Sequence, residues 1–180
     1  GASTEKHMVE TMGSGGLFFD YDHDGWLDIF LVDGGSLEDR QVAARARHRL
    51  FHNRGNGTFE DVTAGSGIRH SGYAMGACAA DYDNDGNIDL YVTNAGSDVL
   101  YRNRGDGTFV DVTRAAGVGS PLLGTSCAFA DVDNDGDVDL FVVNYVDLTV
   151  ERRCGDSRVR AYCRPKLYQG LPYVLYRNNG

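Results

Sequence analysis

Three short stretches concentrate carboxylates at one fixed spacing. Asp20, Asp22, Asp24 and Asp28 form the first set, Asp81, Asp83, Asp85 and Asp89 the second, and Asp131, Asp133, Asp135 and Asp139 the third. In each, Asp fills positions 1, 3, 5 and 9 of a nine-residue segment and Gly fills position 6 (Gly25, Gly86, Gly136). Hard carboxylate oxygens, with no His or Cys in the ligand positions, select Ca²⁺ over transition metals. The glycine allows the sharp turn that wraps a chain around one ion. Position 7 (Trp26, Asn87, Asp137) is placed to add a backbone carbonyl, and water would complete a six- or seven-fold shell. The expectation is three Ca²⁺ sites. An EF-hand would need a bidentate Glu at position 12 between two helices. Position 12 here is Leu31, Val92 or Val142, inside an apolar run. Plain polar turns also favour Asp and Gly, but three copies retaining all four carboxylates set that reading aside.

The charge of the chain follows from these loops. Its 180 residues hold 26 Asp plus Glu against 17 Lys plus Arg, a formal charge of −9. Three loops of four carboxylates take twelve of the 26, and the other 14 roughly balance the 17 bases. Four carboxylates around an empty loop repel one another, and folding would raise their pKa values unless a cation were held. Three bound Ca²⁺, two charges each, would bring −9 to −3. A sequence pI near 4.8 argues against nucleic acid as a partner. The longest apolar runs, such as Ile29–Val32, are too short for membrane insertion.

The elements that must position these loops are legible beside them. Each loop runs into a short β-branched and aromatic stretch, Ile29–Val32, Leu90–Val92 or Leu140–Val143, which reads as a buried strand. A second motif interleaves with the first: Leu50–Thr63 matches Leu100–Thr113, and a third copy starts at Leu175-Tyr176-Arg177-Asn178-Asn179-Gly180. Asn56-Gly57 and Asp106-Gly107 within it predict hairpins with positive φ at both central residues. Two hairpins in about 50 residues predict an all-β fold of antiparallel, four-stranded, propeller-type blades. The chain divides into residues 1–12 (an N-terminal segment), 13–68 (repeat 1, insertion 36–48), 69–118 (repeat 2) and 119–180 (repeat 3, incomplete, insertion 147–172). The first insertion, with Arg40, Arg45 and Arg47, predicts a short surface helix, and both insertions should project from the same side.

On these residues the chain resembles the FG-GAP/VCBS family of calcium-binding β-propeller repeats found in integrin α-subunit heads. It is also similar to proteins of the CRTAC1/ASPIC-UnbV type. The resemblance rests on the three Asp loops, the two Leu-[Phe/Tyr]-x-Asn-x-Gly-x-Gly-Thr-Phe-x-Asp-Val-Thr segments, Glu10–Gly15 before the first loop, and Tyr162–Pro165 before Leu175–Asn178. It implies a secreted or surface-exposed scaffold for adhesion or recognition, with no common catalytic residue. Family propellers usually have seven blades, whereas three cannot close a ring. The third blade is expected to lack its last strand, leaving an edge open to pairing. Either the chain is a piece of a larger propeller, with carbohydrate-binding or lyase- or hydrolase-like activity as the rival function, or other copies complete it. In the second case residues near Thr4–Val9 would donate a strand, building a ring or a filament. The expected partners are thus other copies or an extracellular protein or glycan.

Cys154 and Cys163 sit in a polar insertion and predict a disulfide that pins it. Cys78 and Cys127 precede loops two and three at non-equivalent offsets and read as buried free thiols. Arg104-Gly105-Asp106 spells an adhesion tripeptide, but Arg54-Gly55-Asn56 at the same place in repeat 1 assigns the pattern to turn geometry. Asn56-Gly57-Thr58 is formally a glycosylation sequon that arises from the same turn. The five histidines show no paired spacing, and no nucleophile elbow, phosphate loop or zinc signature is present. The carboxylate pairs are explained by metal ligation, so no catalytic residue and no enzymatic activity are expected. Tyr and Arg of the Leu-[Phe/Tyr]-x-Asn motif read as blade-packing residues.

Overall fold

In a computed structural model of the chain, residues 7–35, 48–69, 72–148, 154–156 and 159–180 are described. Blade 1 is a four-stranded antiparallel sheet in sequential order, β1 (Gly16–Phe19), β2 (Asp28–Leu31), β3 (Arg49–Asn53) and β4 (Phe59–Asp61). Blade 2 repeats it with β5 (Ala74–Ala80), β6 (Asp89–Asn94), β7 (Val99–Asn103) and β8 (Phe109–Asp111). A one-turn helix, α1 (Thr113–Ala116), follows β8. Blade 3 has three strands, β9 (Gly124–Ala130), β10 (Asp139–Asn144) and β13 (Val174–Tyr176), with β10 in the middle. The Asp loops join the first two strands of each blade, as the spacing predicts.

Alternation along the strands sends successive side chains to opposite faces, and each inner face meets the next blade. Phe19, Phe30 and Leu50 of blade 1 pack with Leu90, Val92, Val99, Tyr101 and Phe109 of blade 2. The other face of blade 2 sends Tyr91 and Leu100 against Leu140 and Val142 of blade 3. Among the described residues the core is therefore two face-to-face seams and a third cluster of Met8, Val9, Met75, Leu123 and Val146, rather than one central cluster. At the first seam β8 runs against the link after β4: the Phe109 amide donates to the Ser66 carbonyl at 2.7 Å. A Cβ on Gly67 would lie 2.4 Å from the Phe109 carbonyl oxygen, so only glycine fits there.

Met8–Thr11 forms a 3₁₀ turn, with Met8 and Val9 buried beside Met75, Leu123 and Val146; of the Thr4–Val9 segment expected to donate a strand, residues 4–6 lie outside the described residues. Other expectations need correction. In the second hairpins the positive φ falls on Gly55 and Gly57, and on Gly105 and Gly107, rather than on Asn56 or Asp106. The Asn56 and Asp106 carboxamide and carboxylate oxygens instead accept from the Thr58 and Thr108 amides, each at 3.0 Å. Cys78 and Cys127 are joined in a disulfide between β5 and β9. These are the first strands of consecutive blades, and they lie close enough (Cα–Cα 5.7 Å) to bond despite their different offsets. The predicted Cys154–Cys163 disulfide is present and closes a small hairpin of β11 (Cys154–Gly155) and β12 (Arg160–Ala161). The Arg-rich segment 36–47 lies outside the described residues.

Candidate metal centre

The three loops share one internal framework. The position-1 carboxylate takes two backbone amides: Asp24 N and Gly25 N donate to Asp20 at 3.2 and 3.0 Å. Asp85 N and Gly86 N do the same to Asp81 at 3.1 and 2.9 Å, and Asp135 N and Gly136 N to Asp131 at 3.2 and 3.1 Å. The position-7 amide donates to the position-5 carboxylate, as Trp26 does to Asp24, Asn87 to Asp85 and Asp137 to Asp135. The glycines adopt positive φ (86°, 88° and 96°), and so do the non-glycine residues at position 4, His23, Asn84 and Asn134. Asn at position 4 in two of the three loops was the available sequence signal for that second left-handed residue.

Position 9 does a different job. Asp28, Asp89 and Asp139 are buried. One oxygen of each accepts from the position-2 amide, Tyr21, Tyr82 or Val132, and the other from the backbone amide of an Asn at or just beyond the end of the third strand, Asn53, Asn103 or Asn178. This carboxylate ties its loop to the sheet and keeps a second lone pair on each oxygen for a ligand. Burial pushes Asp89 up to about 7, against the pull of the Asn103 and Tyr82 amides, and burial raises Asp28 in the same way. Asp85 is held below the usual carboxylate range, first by the Asn87 amide and then by Arg102.

The Asn residues also join blades. Asn103 Nδ2 donates to the carbonyl of Tyr21 in the preceding loop at 2.7 Å, and Asn178 Nδ2 to that of Tyr82, also at 2.7 Å. The position-7 side chain covers the glycine after each Asn, so that a Cβ on Gly55 would lie 2.6 Å from Trp26 Nε1 and one on Gly105 2.8 Å from Asn87 Oδ1. Asn84 and Asp137 further connect loops two and three at 2.6 Å.

The residue between the aromatic and the Asn of the third strand is basic in all three blades, and it reaches into the loop. Arg102 Nε lies 2.6 Å from Asp83 and its Nη2 2.8 Å from Asp85. Arg177 pairs with Asp133. In blade 1 the place is taken by His52, whose Nδ1 lies 3.2 Å from Asp22 and 3.4 Å from Asp28. The arginines are therefore counter-ions of the loops, not blade-packing residues, and a histidine does stand among the carboxylates of loop one. The invariably basic residue in Leu-[Phe/Tyr]-x-Asn was the signal that would have found them.

The donor set fits a hard divalent cation. Ligand oxygens of Asp20, Asp22 and Asp24 lie within 4.8 Å of one another, as do those of Asp81, Asp83 and Asp85 and those of Asp131, Asp133 and Asp139. Asp22, Asp28 and the His52 nitrogen form a further such group. Asp133 Oδ1 is buried without a hydrogen-bond partner, an acceptor left for a ligand. Positions 1, 3, 5 and 9 would hold the ion, and its charge would relieve the carboxylate repulsion and the burial of position 9. Arg104-Gly105-Asp106 is engaged within its own hairpin, where the Asp106 carboxylate takes the Thr108 amide and hydroxyl.

Successive antiparallel blades, each with an acidic loop joining its first two strands, define a propeller-type repeat protein. The FG-GAP-like repeat family matches residues 20–92 and 81–142, more than half of the chain, and the chain belongs to that family. No curated protein matches it.

Proposed function

We propose that the chain is a calcium-stapled repeat module that acts outside the cell as a non-enzymatic structural or adhesive scaffold, associating with other copies or with an extracellular protein or glycan. The observation that supports it most is the loop framework repeated three times, with all-oxygen carboxylate sets pre-shaped by backbone amides. The two disulfides suit an oxidising compartment, and among the described residues no helix is long and apolar enough to cross a membrane. Ca²⁺ that binds the folded state but not the unfolded one stabilises by mass action, by about 2.7 kcal/mol at a hundredfold excess over Kd for one site. Thermal melts should shift down sharply in excess EDTA and recover in millimolar Ca²⁺, with calorimetric titration reporting binding directly. An unchanged melt together with no binding heat would refute the calcium reading.

A further inference from the structure

Loop one differs from loops two and three in a single donor. The basic residue that reaches into loop two is Arg102 and into loop three Arg177, and a guanidinium has no lone pair to offer a metal. The register position of Arg102 is held in blade 1 by His52, a residue type that ligates through a neutral ring nitrogen. His52 Nδ1 lies 3.2 Å from Asp22 Oδ2 and 3.4 Å from Oδ1 of the buried Asp28, and Nε2 lies 3.9 Å from Asp24 Oδ2. Nδ1 is itself buried and makes no hydrogen bond, although it converges on two carboxylate oxygens. Donors around a tetrahedral ion with bonds of about 2.0–2.2 Å stand about 3.3–3.6 Å apart, close to the two Nδ1 distances. The surroundings hold this geometry. Tyr21 meets the imidazole edge-on at 6.2 Å between ring centroids, and the Tyr21 and Asn53 amides fix the two oxygens of Asp28. The side chains of His52 and Asp22 stay 24% and 27% exposed, which leaves an ion a way in.

We infer that loop one is a mixed nitrogen–oxygen site for a borderline divalent transition metal of the Zn²⁺ class, with His52 as a ligand contributed by the third strand. Asp22 and Asp28 supply the oxygens, and water completes the shell. Imidazole suits Zn²⁺ and its transition-metal neighbours, whereas carboxylate and carbonyl oxygens alone suit Ca²⁺. Loops two and three, with arginine at the corresponding place, keep the all-oxygen preference, and loop one departs from it. This rests on the reading of the loops as metal centres and specifies the metal class of one of them. His23, the other histidine near the site, is exposed at position 4 of the loop and stands outside the convergent group of Asp22, Asp28 and His52.

The test is calorimetric titration of the full 180-residue chain with Zn²⁺, and with Co²⁺ as a probe whose visible absorption reports nitrogen ligation. The wild type is expected to take up Zn²⁺ at loop one and to develop the Co²⁺ band. Outer-shell partners alone count for about 10–100-fold in metal affinity, so losing the direct nitrogen in His52→Ala should weaken Zn²⁺ binding by at least about tenfold and remove the band. His52→Arg, which gives loop one the residue of the other two blades, should do the same and leave Ca²⁺ binding at loops two and three unchanged. His23→Ala should keep both signals. Melting curves check that each variant folds. Zn²⁺ affinity and a Co²⁺ band that survive His52→Ala overturn the inference. A wild type that binds Ca²⁺ but not Zn²⁺ also overturns it and leaves the calcium reading standing, with His52 a counter-ion like Arg102. Zn²⁺ binding lost in His52→Ala, in a chain that binds no Ca²⁺, would support the inference and refute the calcium reading alone.

Discussion

Blades 1 and 2 carry nearly the same loop and nearly the same Leu-[Phe/Tyr]-x-Asn segment, yet they occupy different physical environments. Blade 2 is covered on both faces. Its β6 is buried along its whole length from Asp89 to Asn94, and Asp89 is raised to about 7. Blade 1 is covered on one face, and the matching strand alternates between buried and open positions. The counter-ion differs too, Arg102 bridging two carboxylates in blade 2 and His52 standing in blade 1. Repeats of one sequence pattern thus acquire separate energetics from their neighbours, as expected when stability is a sum of repeat terms and seam terms.

That contrast should be clearest at equivalent core positions. Tyr91→Ala removes a side chain with no exposed surface whose hydroxyl donates to the Val118 carbonyl at 2.7 Å. Denaturant unfolding at a concentration where the chain is monomeric should show a loss of about 4 kcal/mol. The equivalent Phe141→Ala in blade 3, where the side chain is exposed, should cost under about 1 kcal/mol under the same conditions. Equal losses would mean that the blades are not energetically distinct.

A buried acid beside the second seam gives blade 2 a pH dependence of its own. Asp98 is fully buried, accepts from the Asn94 amide at 2.8 Å and faces the Tyr91 hydroxyl at 3.2 Å, and Tyr176 feels its charge. Burial pushes it up to about 7. Its folded value exceeds its unfolded one, so the proton is held more tightly in the folded state. Its contribution is complete at acid pH, falls as pH rises from about 4 toward 7, and is lost above that. Asp98→Asn should flatten this part of the stability–pH curve, measured as the difference between the two proteins. Parallel curves would show that Asp98 ionises as freely in the fold as outside it.

The smallest expected effect separates the loops. A cation held by Asp83 and Asp85 would compete with Arg102 for them, so Arg102→Ala should tighten Ca²⁺ binding there modestly, by a few-fold at most for so exposed a pair. Calorimetric titration of single-loop variants would read it. Weaker binding would instead make Arg102 a support for the loop geometry.

Much of this was legible in the residues. Hairpin order, blade boundaries and the loop framework were readable because a Gly, an Asp at fixed spacing and a two-residue alternation each have local causes. The Cys154–Cys163 pair was readable because its two cysteines share one small insertion. Other features were not, because their partners lie far away in sequence. Nothing local told that Cys78 would meet Cys127, that Arg102 would turn toward Asp83 and Asp85, or that Asn103 would reach back to Tyr21. Positive φ at Gly57 and Gly107 was legible too, but the other left-handed residue of each hairpin is Gly55 or Gly105 rather than Asn56 or Asp106, and a Cβ there would meet Trp26 or Asn87 of another turn.

Sequence alone therefore determined the repeat, the strand pattern and the chemistry of three acidic loops, because those depend on spacing within a few residues. Tertiary structure decided which face of each blade is covered, which base neutralises each loop, and which carboxylate is buried. Those are properties of the seam between blades, and a seam exists only once two repeats have packed.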